Sequence, residues 1–267
     1  MPKKYMLSTR KFIADTKKEF RQTLLKKRVK DKEFYIISNN CWGAEVYKDL
    51  ELQYSTPFIG LSIFPPCYLQ LLKNLKGYLN SSLVFTNISR YEFVNKRRKQ
   101  GEELYPLACL GGDIEIHFMH YGSEAEARDK WERRASRINW HSENIFVKLC
   151  DNGPFGISDL CSEELIREFD KLDFIHKVCF TAKKYSNIKS AVWIKEYKDA
   201  PYVVNGVELY KVCAKYFDVA DWLNGGDGNI GMTQSLVNAL LYEDSARLGK
   251  ALRYLQLSPA KRYPNQH

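Results

Sequence analysis

No stretch of this sequence is apolar for long enough to cross a bilayer. The longest such runs, Phe58 to Cys67 among them, fall well short of the ~20 residues required. Several motifs with a fixed chemistry are missing as well. There is no GxGxxG, which disfavours a standard dinucleotide site, and there is neither a P-loop nor a GxSxG nucleophile elbow. No Asp-x-Asp follows a predicted strand, so a metal-dependent sugar-nucleotide transferase would lack its usual ligands. The seven cysteines form no CxxC and are odd in number, and Cys150 and Cys179 sit inside apolar strand-like runs. That pattern reads as buried reduced thiols in a cytoplasmic protein. With no Cys or His cluster at ligand spacing, neither a metal nor a cofactor is expected. Apolar residues at 45% and charged residues at 27% are ordinary globular values and exclude collagen-like and disordered readings. At 267 residues the chain can form one large domain or two modest ones.

What the sequence does have is a concentrated charge. The formal net charge is +9, and residues 1–34 carry twelve Lys and Arg against four acids, a net of +8. The other 233 residues hold 29 bases and 28 acids, so the body is nearly neutral. Leu7, Phe12, Ile13, Phe20, Leu24, Leu25 and Val29 recur at roughly helical spacing, which predicts a basic amphipathic helical leader over 1–33. Lysines interrupt its apolar residues throughout, unlike a secretory signal. The leader can pack its stripe on the domain, or it can contact an anionic membrane surface at the inner face. A nucleic-acid arm would call for a basic body, which is absent.

From residue 34 short apolar runs alternate with helical patterns. Strands are predicted at 34–37, 58–64, 83–86, 114–121, 144–150, 174–181 and 191–194. Helices are predicted at 43–52 and 68–79, after Ser123 and after Ser162; Ser123 with Glu126 forms a capping box. This alternation predicts a Rossmann-like α/β fold, a mostly parallel sheet with helices on both faces, over 34–195. Residues 196–267 read as a mainly helical C-terminal subdomain: a helix over 209–223, a glycine-rich loop at 225–229, and one long or two short helices over 233–255 leaning on the sheet.

In open α/β sheets ligands sit beyond the carboxyl ends of the strands. Ser38, Asn39 and Asn40 end the first strand and precede a helix, where amides can hold a phosphate or sugar hydroxyls. Asn also favours turns for local reasons, so a structural turn stands beside the binding loop. In Asp113–Tyr121 strand alternation puts Glu115 and His117 on one face, a pair suited to general acid/base work, with His120 near the carboxyl end. The plainer alternative is a buried polar pair satisfied by its neighbours. Asp151 and Asn152 follow a buried strand and can contact a ribose or acceptor, or merely begin a turn. Lys130, Arg133, Arg134 and Arg137 are spaced to clamp a phosphate, or to form a solvated ion-paired face with Glu126 and Asp129.

Four segments together resemble a known family: Ser38-Asn-Asn-Cys-Trp-Gly43, Ser55-Thr-Pro-Phe-Ile-Gly-Leu61, Asp113 to Tyr121, and Lys130 to Asn139, with His176 to Tyr185 fitting as well. They are similar to the bacterial domain of unknown function 1919 family, whose members are often labelled exopolysaccharide biosynthesis proteins. The resemblance covers roughly residues 34–185. It implies an intracellular bacterial α/β protein set in surface-polysaccharide synthesis, and it brings no catalytic residue with it. The combined expectation is a metal-independent sugar or substituent transferase. Asn39 and Asn40 would hold a sugar nucleotide, Asp151 would contact ribose or acceptor, and His117 or His120 would be the base. The alternative is a non-catalytic glycan-binding or scaffold protein of polysaccharide assembly.

Overall fold

The computed structural model describes residues 3–151, 160–200, 202–203 and 205–242. Helix α1 (Lys3–Arg28) leads into strand β1 (Tyr35–Ser38) and helix α2 (Trp42–Leu50). Helices α3 (Pro65–Lys73) and α4 (Leu75–Leu79), strand β2 (Leu83–Thr86), helix α5 (Glu92–Lys99) and strands β3 (Leu107–Leu110) and β4 (Ile114–His117) follow. Then come α6 (Glu124–Ala135), β5 (Ile145–Cys150), α7 (Glu163–Lys171), β6 (His176–Thr181), β7 (Ala191–Trp193), α8 (Gly206–Cys213), α9 (Val219–Leu223) and α10 (Met232–Tyr242). The protein is α/β, with a parallel sheet ordered β1-β5-β6-β7 and a separate antiparallel sheet ordered β2-β3-β4.

Period-two alternation divides the parallel strands between two cores. Tyr35, Ile37, Val147, Leu149 and Cys179 face one that also takes in α3, α6, α7 and the antiparallel sheet. Ile36, Phe146, Cys150, Val178 and Phe180 face the other, filled from α1, α2, α8 and α9. Both faces of the parallel sheet are therefore covered, as its near-continuous apolar strands require. The leader docks through Leu25 and Val29 and through ion pairs from Arg21 to Asp49 (2.8 Å) and Arg28 to Asp218 (2.5 Å).

The caps form as the residue types dictate. Ser123 Oγ accepts from the Glu126 amide at 3.1 Å, and Ser162 Oγ from the Leu165 amide at 3.3 Å. The Glu126 carboxylate reaches back to the Gly122 amide (2.8 Å), one residue before the box position.

Several boundaries differ from expectation. Residues 58–64 form no strand of the parallel sheet. They are an extended tie, in which the Ile63 amide donates to the Asn39 carbonyl (2.9 Å) and Ser62 bridges to His117. Their apolarity reflects burial between two sheets. The predicted strand 114–121 stops at His117, because the Met119 amide turns back onto the His117 carbonyl (3.0 Å). Asn74, with φ −147° and ψ 53°, divides the predicted 68–79 helix. The predicted 209–223 helix breaks before Asp218, whose carboxylate caps α9. The glycine loop folds back on that cap, the Asp218 amide donating to the Gly228 carbonyl (2.9 Å). Helix α5 and strand β3 were not anticipated. The expected helix beyond 242 lies outside the described residues.

Candidate functional site

Beyond the end of β1 the chain buries a polar knot. Lys148, in the middle of β5, is fully buried, and its Nζ donates to Asn40 Oδ1 (2.8 Å) and Asn39 Oδ1 (3.2 Å). Its ammonium also lies 6.0 Å from the centre of the Trp42 ring. Asn40 Oδ1 accepts from the Trp42 amide (3.1 Å), and its Nδ2 donates to Cys150 Sγ (3.1 Å). Ser38 Oγ closes on the Asn40 carbonyl (2.9 Å). Among the described residues no carboxylate pairs with Lys148. An unpaired buried ammonium costs several kcal/mol, which two amide oxygens and a ring face offset only in part. Ser38, Asn39 and Asn40 are all buried, so they build the floor of the strand end. Gly206 covers them from α8: a Cβ there would meet Asn40 Oδ1 and the Trp42 amide at 2.5 Å.

Above this floor lies a cavity of about 290 Å³ between α2, the Pro57–Gly60 turn, the His120–Tyr121 turn and α6. Three cations line it, Lys48, Lys130 and Arg134, with His120 at the turn that closes on Gly60 (amide to carbonyl, 3.0 Å). Gly60 is needed here, at φ +70° and against Tyr121. Lys48 and Lys130 have acidic neighbours, Glu45 and Glu126, each at 2.5 Å. Arg134 is different. It is buried, donates to Tyr121 Oη (2.9 Å) and lies 5.1 Å over the Tyr54 ring, and no carboxylate pairs with it among the described residues. Arg137 braces that ring by donating to the Tyr54 carbonyl (2.5 Å). Arg133, by contrast, takes the solvated i,i+4 pair with Asp129 (3.7 Å). Cys41 also lines the cavity, but burial and then Glu45 push its thiol up, so it is held as a thiol rather than a nucleophilic thiolate.

The remaining expected site residues lie elsewhere. His117 is fully buried in the antiparallel sheet, stacked on Phe64 with ring centres 4.2 Å apart. Its Nδ1 meets Tyr105 Oη (3.0 Å), and its Nε2 lies 3.0 Å from Glu115 Oε1 without a linear N–H···O geometry. Glu115 also accepts from Ser89 Oγ (2.5 Å) and the Arg90 amide (2.7 Å). Burial would raise its pKa, but His117 and these donors outweigh that and hold the carboxyl below its usual range. Asp151 ties the end of β5 to two loops, accepting from the Ala182 amide (2.7 Å) and the Val203 amide (3.0 Å). Burial pushes it up to about 6 against the pull of those bonds. Asn152 lies outside the described residues. The cavity therefore brings together His120, Arg134 and, as a brace, Arg137. Tyr121, next to His120 near the predicted strand's carboxyl end, lies in the cavity as well, whereas Lys48, Tyr54 and Lys148 have no counterpart in the sequence reading; the lysine inside the apolar run 145–150 is their one visible signal.

On the other side of α6 is a second recess of about 590 Å³, with Trp131, Trp140, Ser81, Ser82 and Arg128 in its walls.

The family model for the Domain of unknown function (DUF1919) matches residues 11–224, from the leader through α9. The chain belongs to the DUF1919 family. Among its relatives, a Haemophilus influenzae protein described as an uncharacterized protein is 34% identical over 208 residues, 75% of this chain and 88% of that one. The DUF1919 match spans every residue lining the 290 Å³ cavity and both sides of the polar knot. No helix among the described residues is long and apolar enough to cross a membrane.

Proposed function

We propose that this DUF1919 protein binds a sugar nucleotide in the 290 Å³ cavity and transfers its sugar or a substituent during surface-polysaccharide synthesis, as a metal-independent enzyme of the cytoplasm. The observation that carries the reading is Arg134, a buried guanidinium bonded to a tyrosine with no carboxylate paired to it among the described residues, at a cavity also lined by Lys48, Lys130 and Glu45. Guanidinium forks match phosphate oxygens bidentately, and a diphosphate would give Arg134 an anionic partner. Lys148 below the floor adds a fixed positive field. In this reading His120, exposed at the turn that closes the cavity, takes the acceptor hydroxyl proton through its ring nitrogen. The polysaccharide setting rests on the resemblance of the strand-end segments to proteins carrying that label.

A non-catalytic glycan-binding role is the second reading. It is favoured by the half-buried Trp140 and the hydroxyls of the 590 Å³ recess, since an aromatic face and short polar groups suit saccharides.

Thermal shift with a panel of sugar nucleotides tests the first reading. A donor at a hundred times its Kd adds ~2.7 kcal/mol, and therefore several degrees in Tm at this size. The shift is expected in the wild type and absent in Arg134→Ala. If no member of the panel moves the wild type, the donor reading fails. Loss of glycan production on His120→Gln with binding intact supports catalysis, and unchanged production supports the binding role.

A further inference from the structure

Helix α10 carries apolar side chains on two faces. None of its eleven residues is charged, and it docks through Leu241 and Tyr242, the Tyr242 ring packing on Tyr210 with centres 5.9 Å apart, together with polar side chains. Asn238 is buried and donates to the Ala214 carbonyl (2.7 Å), Ser235 Oγ donates to the Lys215 carbonyl (2.7 Å), and Gln234 donates to Asn238 (2.8 Å). One apolar face points outward, with Met232, Leu236 and Leu240 exposed by 83, 62 and 71%. These three recur every four residues and form one stripe. The sequence pattern predicts an apolar stripe leaning on the sheet, and the helix splits it, turning Leu241 and Tyr242 toward the domain and Met232, Leu236 and Leu240 to the surface.

Helix α1 packs beside α10, and the Arg21 guanidinium lies 4.7 Å over the Tyr242 ring. It is exposed in the same way at Phe12 (71%) and Phe20 (57%), eight residues apart. Seven of the twelve large apolar side chains exposed among the described residues sit on these two helices. A scatter of single exposed apolar residues needs no explanation, whereas two adjacent stripes do.

Charge identifies the occupant. From Lys3 to Arg28 the sequence of α1 carries ten bases and two acids, a net of +8. Arg21, Lys26 and Arg28 are held by acids of the domain, while Lys18 and Lys27 are exposed. A second copy of the chain would set one such helix against another and repel it. An anionic bilayer satisfies both features, taking the apolar stripes into the acyl boundary and the lysines into the headgroup layer.

We propose that α1 and α10 form a peripheral docking face for anionic membrane, both helices lying in the headgroup plane with Phe12, Phe20, Leu236 and Leu240 toward the acyl chains. The inference is independent of the donor reading.

Vesicle sedimentation of the full chain tests it. Phosphatidylcholine vesicles containing about 30 mol% phosphatidylglycerol should carry the protein down, and phosphatidylcholine alone should not. Binding should weaken on raising salt to about 0.5 M. Leu236→Glu with Leu240→Glu should cut partitioning about tenfold or more without changing Tm, the positions being exposed. Lys18→Glu with Lys27→Glu should do the same from the charge side. Absence of sedimentation with the anionic vesicles overturns the proposal, as does unchanged partitioning of the Leu236/Leu240 variant. A wild-type dimer in light scattering that this variant dissociates would give the face to a second copy and overturn it too.

Discussion

The guanidinium of Arg134 is anchored by the phenol of Tyr121, at 2.9 Å, in a place where an acid would ordinarily be found. Tyr121 in turn donates to the Ile59 carbonyl at 2.6 Å, so the arginine is oriented by a chain of neutral groups, with no carboxylate paired to it among the described residues. Such an arrangement is poor for stability and suited to receiving an anion.

That trade predicts the behaviour of Arg134→Met. The methionine keeps much of the apolar stem and discards the buried charge. Its stability should therefore stay within about 1 kcal/mol of wild type, or exceed it. Sugar-nucleotide binding should be lost. Urea titration and thermal shift measured together check both halves, and a variant destabilised by several kcal/mol would mean that Arg134 serves the fold.

Lys148 makes the opposite demand. Lys148→Glu would aim a carboxylate at Asn39 Oδ1 and Asn40 Oδ1, acceptor against acceptor, in a fully buried place. A loss of about 3–5 kcal/mol in urea unfolding is expected. Lys148→Met, which matches the stem without the charge, should lose far less. Equal losses for the two variants would contradict the electrostatic account of the knot.

The carboxyl of Asp151 gives stability a pH dependence. Its folded pKa, about 6, lies above the ordinary value of 3.8, so the folded chain holds the proton more tightly than the unfolded chain does. This group's contribution is complete below the unfolded pKa and fades as pH rises through the folded one. By pH 7 the loss is about 3 kcal/mol. Asp151→Asn should flatten the stability curve between about pH 4 and 6 relative to wild type. Urea midpoints across that range check it, and parallel curves would refute it.

Local chemistry was readable where it is local. Ser123 and Ser162 cap helices because a hydroxyl beside a free amide needs no distant partner. The pairing of Glu115 with His117 was visible in period two, but the burial of both comes from Phe64 and Tyr105, which no spacing on their own strand reveals. The run 58–64 reads as a strand from its composition, yet its partners lie on two different sheets. Arg133 and Arg134 are neighbours with the same charge. One turns to Asp129, and the other meets Tyr54, a residue eighty positions earlier. In α10 the apolar period was legible and its direction was not, because direction is set by where Asn238 finds a carbonyl.

Gly206 has a consequence for the order in which the molecule is completed. The Asn40–Trp42 corner is made early in synthesis, but the lid resting on it, and Val207 in the cavity wall, belong to a helix made some 160 residues later. A nascent chain emerging from the ribosome thus has its parallel strands before it has a finished cavity. Truncated products ending before residue 205 would carry the sheet with its polar corner open to water, and the cavity wall would close only with the last quarter of translation.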